Sequence, residues 1–160
     1  MIDQKTFEHL LLTAYQWCKA TETLVLARGV PLSSRQTADA RLAGVRNCSR
    51  VRVLVVDRIL LPDNEELAEA ARRTGIITDD TRCVSFGHAV IIRADSWGDR
   101  ELFLHNLVHI AQCERSGGLE QWVRQYLDNR HRCAQFSIGS LEEEARRIAH
   151  ELCATHAVAT

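Results

Sequence analysis

Apolar positions recur at helical spacing through the first 28 residues: Phe7, Leu10, Leu11, Ala14, Trp17, Cys18, Leu24 and Val25. A period near 3.6 with one apolar face predicts a long amphipathic helix over 6–28, stopped by Gly29 and Pro31. A shorter helical pattern runs from Ser33 to Ala43, with Gly44 as its stop. The pattern then changes. RVRVLVVD (50–57) is rich in β-branched residues and nearly alternates, which predicts a strand. Pro62 and Asp63 lead into NEELAEAARRTG, a short helix with Gly75 placed as its C-cap. RCVSFGHAVIIRA (82–94) predicts one strand, or two joined at Gly87. ADSWGD reads as a turn, and Asp99 or an earlier residue opens a helix that stops at SGG (116–118). LEQWVRQYLDNRH forms the next helix. Ser140 opens the last, SLEEEARRIAHELC, with Ser140 and Glu143 spaced as a capping box.

This order predicts an α+β fold: a mostly helical single domain over 1–160 with a small β-sheet packed beside its helices. A chain of 160 residues suits one core, and neither a repeat nor a linker divides it. The balance of 20 basic against 21 acidic residues gives no charge field for nucleic acid or a membrane surface. Six cysteines are many for this length, but the nearest two stand 20 residues apart, so no C-x-x-C metal or redox pair is present. The start, MIDQKTFEHL, has neither the basic n-region nor the apolar h-region of a signal peptide. These features predict a cytoplasmic protein with reduced cysteines that serve mainly as small apolar residues.

The chemistry concentrates in LFLHNLVHIAQCERSGG (102–118). His105 and His109 lie one turn apart on one helix face and can direct two imidazoles at one ion. Alone, an H-x-x-x-H spacing is weak. Glu142, Glu143 and Glu144 on the last helix supply carboxylates for a third ligand, although first-turn glutamates also simply suit the helix dipole.

Four pieces of the chain resemble one family. HNLVHIAQCERSGG is similar to the H-E-L-V-H stretch, with its following Q-y-E-r-l-G-G, of small bacterial zincin-like metallopeptidase domains. SFGHAVIIR resembles their G-H-x-I-x-x-R strand, LEQWVRQYL their F-x-x-x-Y-L helix, and LEEEARRIA the E-x-E-A segment of gluzincin-type enzymes. The resemblance covers roughly 50–149, leaving 1–45 as an N-terminal helical extension. It implies a divalent metal, zinc first, on His105, His109 and Glu142. Glu144 is the alternative ligand, or a carboxylate that orients a ligand histidine, and Gln112, two turns on along the face of His105, is placed to line the site. It also implies a peptide or protein as substrate or partner.

Two positions depart from the family: Cys113 stands in place of a usual tyrosine, which reads as a packing change, and Asn106 alters the chemistry. Asn106 stands where the resemblance requires the general-base glutamate, and an amide cannot take a proton from water near neutral pH. Three readings follow. The chain is a degenerate metallopeptidase that binds metal with little turnover. Or it is a working metal enzyme, either a hydrolase with His88 as a substitute base or an iron oxygenase built on two histidines and a carboxylate. Or it is a metal-free interaction module. His150, two turns beyond Glu142, is a further candidate ligand. Glu114 and Arg115 read as a surface pair.

Overall fold

The computed structural model describes residues 2–133 and 140–155, with side chains described for 2–130 and 140–155. Helix α1 (Gln4–Arg28) leads into a two-residue strand β1 (Val30–Pro31). Helix α2 (Ser34–Leu42), strand β2 (Arg52–Val56) and helix α3 (Glu65–Thr74) follow. Strands β3 (Cys83–Phe86) and β4 (Ala89–Arg93) form a hairpin. Helices α4 (Arg100–Ser116), α5 (Leu119–Cys133) and α6 (Ser140–Thr155) close the order. This is the expected mostly helical α+β domain. Among the described residues no helix is long and apolar enough to cross a membrane.

The sheet order is β1-β2-β4-β3. β2 and β4 pair in parallel at the centre, with Val53 opposite Val90, and β1 and β3 add antiparallel edges. The segment 82–94 is therefore two strands, and the bend falls at Gly87, where φ is +62°. β1 has no sequence signal because two residues ending in proline carry no periodicity. Its pairing with β2 comes from the turn out of α1.

Two apolar clusters hold the layers together. Val53, Val90 and Ile92 pack with Leu104, Leu107 and Val108 of α4, and α6 joins through Ala145 and Ala149. The second cluster sets Val84 and Phe86 against Leu11, Ala14 and Cys18 of α1, with Trp122 and Val123 of α5. α4 contributes to both, which explains why ten of its residues are buried. Five cysteines are free: Cys18, Cys48 and Cys113 are buried, and Cys83 and Cys153 half-buried. The Cys133 side chain lies outside the described residues. Burial pushes the Cys18 and Cys113 thiols up to about 12, so both stay protonated packing groups near neutral pH.

Caps are mostly local. Asp3, Ser33, Asn64 and Asp99 each accept a first-turn N–H, and Ser33 with Gln36 completes a capping box. The described bonds at the start of α6 come instead from α5: Leu141 N–H donates to Asn129 Oδ1 at 3.3 Å and Asn129 Nδ2 donates to Ser140 Oγ at 2.8 Å. They replace the expected Ser140–Glu143 box.

The β3–β4 turn rests on a buried carboxylate. Glu22, 5% exposed in the middle of α1, accepts the His88 N–H at 3.0 Å. A Cβ on Gly87 would stand 1.6 Å from Glu22 Oε2, in a backbone region that L side chains avoid. Gly87→Ala should therefore lower unfolding free energy by about 2–4 kcal/mol, combining left-handed strain with overpacking. The expected result is a lower urea midpoint with an unchanged slope.

Candidate metal centre

α4 enters the site under two constraints. Asp99 Oδ1 accepts Leu102 N–H at 3.0 Å, and Arg100 makes a bidentate pair with buried Asp39 at 2.7 and 3.0 Å. One turn later His105 and His109 meet edge to face, with ring centroids 4.8 Å apart and Nε2 atoms 3.1 Å apart. α6 then brings in Glu142. Its Oε2 lies 3.0 Å from His105 Nε2 and its Oε1 3.2 Å from His109 Nε2. The ligand atoms of these three residues all lie within 4.8 Å of one another, the one group of its kind among the described residues.

The surrounding hydrogen bonds decide where the protons sit. Gln112 Nε2 donates to Leu141 O and to Glu144 Oε2, both at 3.0 Å. Its Oε1 is therefore turned toward His109 Nδ1, 2.8 Å away, and can only accept. Nδ1 carries a proton, and the Nε2 of a neutral His109 carries a lone pair into the centre. His105 Nε2 can offer one proton, which Glu142 Oε2 and His109 Nε2 both face. His109 Nε2 still meets Glu142 Oε1 lone pair to lone pair. Either a second proton on His109 or a cation relieves that conflict.

Glu142 stays ionised. Burial works to raise its pKa, but hydrogen bonds with His105 and His109, the His109 charge and the Tyr126 hydroxyl outweigh it and hold the carboxyl far below the usual range. Tyr126 on α5 donates to Glu142 Oε1. Its ring stacks on Trp122 at 4.8 Å and meets the edge of His109 at 5.8 Å. Burial, then the nearby Glu142 charge, raises the phenol pKa, so the proton stays on the tyrosine. Tyr126 has no role in the sequence reading above, although its i,i+4 spacing from Trp122 placed both rings on one helix face.

The expected residues divide. His105, His109 and Glu142 converge. Gln112 and Glu144 form the supporting layer, with Arg115 NH2 pairing Glu144 Oε1 at 3.0 Å. Asn106 is buried beside them, and its Nδ2 donates back to Leu102 O at 3.0 Å, which leaves its Oδ1 as an acceptor. His88 does not join them and is not among the residues lining the cleft. Its Nε2 lies 3.4 Å from Glu114 Oε1, and its position is set by the Gly87 turn. Glu114 is not half of a surface pair with Arg115: its side chain is 8% exposed and accepts the N–H groups of Arg46 and Asn47 at 3.1 and 3.4 Å. His150 faces Glu101 at 3.2 Å on the surface, away from the centre.

The centre opens on a cleft of about 1020 Å³. Cys83, Val84, Ser85 and Phe86 all line it. β3 is the outer strand of the sheet among the described residues, and residues that point to both of its faces border the cleft. Phe7, Leu10, Trp17 and Leu67 extend it as an apolar trough. Ser85 Oγ and Trp122 Nε1, on its walls, are buried without a hydrogen-bond partner.

The depressed Glu142 pKa has a signed consequence. A carboxyl held below its unfolded value of about 4.3 stabilises the fold above that pH and loses the contribution as pH falls through and below it. In chelator, the melting-temperature gap between the protein and Glu142→Gln should be widest near pH 6–7 and shrink toward pH 3.

Comparisons of the chain with family models, with curated proteins and with solved structures give no match.

Proposed function

We propose that the chain holds one divalent metal ion, zinc in the first instance, on His105, His109 and Glu142, and uses the adjoining cleft to bind a peptide segment with little or no hydrolytic turnover. The observation that carries this reading is the convergence of His105 Nε2, His109 Nε2, presented by Gln112, and the Glu142 carboxylate, whose ligand atoms all lie within 4.8 Å of one another. The donor set of two imidazoles and one carboxylate oxygen fits zinc and leaves room for a further ligand.

A bound divalent ion supplies Lewis acidity, polarising a carbonyl and acidifying water. The protein's own groups do the rest. Gln112 fixes the His109 ring, and Glu144 with Arg115 fixes Gln112. The free edge of β3 offers backbone N–H and C=O groups to an extended chain. Asn106 offers an amide oxygen that accepts a hydrogen bond but takes up no proton. His88, turned toward Glu114, does not supply the missing base. The site is therefore built to bind, with the proton-transfer step removed.

Elemental analysis of tag-free protein should find near-stoichiometric zinc that is lost in His105→Ala. Iron in its place would redirect the reading to oxygen chemistry, and no metal after reconstitution would overturn it. Asn106→Glu in the zinc-loaded protein should raise hydrolysis of an unstructured casein substrate by about 10²–10⁴-fold, the usual worth of a general base. No gain would count against a peptidase ancestry for the cleft.

A further inference from the structure

We infer that Tyr126 is a positioning residue that holds Glu142 to one-oxygen coordination, so that the centre presents two imidazole nitrogens and a single carboxylate oxygen and keeps a position open for a ligand. The inference rests on the metal-binding reading above. The two oxygens of Glu142 have different surroundings. Oε2 lies 3.0 Å from His105 Nε2, while Oε1 accepts the Tyr126 hydroxyl. A phenol that donates to Oε1, which also lies 3.2 Å from His109 Nε2, takes up one of that oxygen's two lone pairs and leaves Oε2 the stronger donor toward an ion.

The hydroxyl is not free to leave. The Tyr126 ring is stacked on Trp122 at an interplanar angle of 26°, and Trp122 is 6% exposed. His109 closes against both rings, with centroids 6.0 Å from Trp122 and 5.8 Å from Tyr126. One turn further along α5, Asn129 ties the start of α6 to the same helix. Glu142 therefore meets Tyr126 through a braced helix pair. An ion bound by a chelating carboxylate has its coordination sphere filled by protein, whereas an open position is what separates a ligand-binding zinc from a structural one. Tyr126 thus decides which kind of site this is.

Tyr126→Phe removes one oxygen and keeps the ring stack. Zinc affinity is read by competition with a chromophoric chelator, and geometry from the visible spectrum of the cobalt-substituted protein. The expected result is an affinity about ten-fold or more weaker, the usual cost of losing a partner that orients a ligand. The cobalt spectrum should also move toward higher coordination number, while the metal-free melting curve stays cooperative. An unchanged affinity and spectrum would overturn the role of Tyr126 and leave the metal reading standing. A wild-type protein that takes up no zinc fails at the earlier step, and the inference falls with it. Should the variant not fold, a crystal structure of the zinc-loaded wild type decides: one Glu142 oxygen on the ion upholds the inference and two overturn it.

Discussion

His105, His109 and Glu142 bring two imidazole nitrogens and two carboxylate oxygens together inside a packed helical layer. An exposed cluster of this kind would relax by rotating its side chains into water. This one is braced. α4 is buried on nearly every face, and α6 lies against it through Ala145 and Ala149, residues small enough for close approach. Gln112 is committed to Leu141 and Glu144, so it cannot release the His109 ring. The apolar core thus does for the centre what a bound ion would otherwise have to do alone: it holds the donors in place before anything arrives.

Around that centre lies a cleft walled by β3, α1 and α5. The cleft has a free strand edge, an apolar trough and two buried polar groups without partners, all features suited to an extended, partly apolar chain. What it lacks is a proton acceptor at Asn106. The Asn106 amide is absorbed by Leu102 O on its own helix.

Much of the fold was legible in order and extent. The helices show their periodicity, and Gly75, Gly117 and Asp99 mark their ends through local backbone chemistry. Three features were not. β1 is too short for a pattern. The start of α6 is held by Asn129, a partner 12 residues away in the chain. Glu22, a carboxylate within an apolar helix face, makes sense only with the Gly87–His88 turn above it. Glu114 was legible as a charge and misread as a surface one, since nothing local says that Arg46 and Asn47 close over it.

The sequence by itself determined that two histidines share one helix face, that a run of glutamates follows on a later helix, and that an amide stands beside the first histidine. Those are consequences of helical spacing, which is local. Only the tertiary structure decided that Glu142 and not Glu144 turns inward, that Gln112 sets the His109 proton, that Tyr126 reaches the Glu142 carboxylate, and that His88 faces away. Each depends on how α4, α5, α6 and the β-hairpin pack. That packing is set by the burial of Leu104, Leu107, Val108, Ala145 and Ala149 over separations that local pattern does not encode.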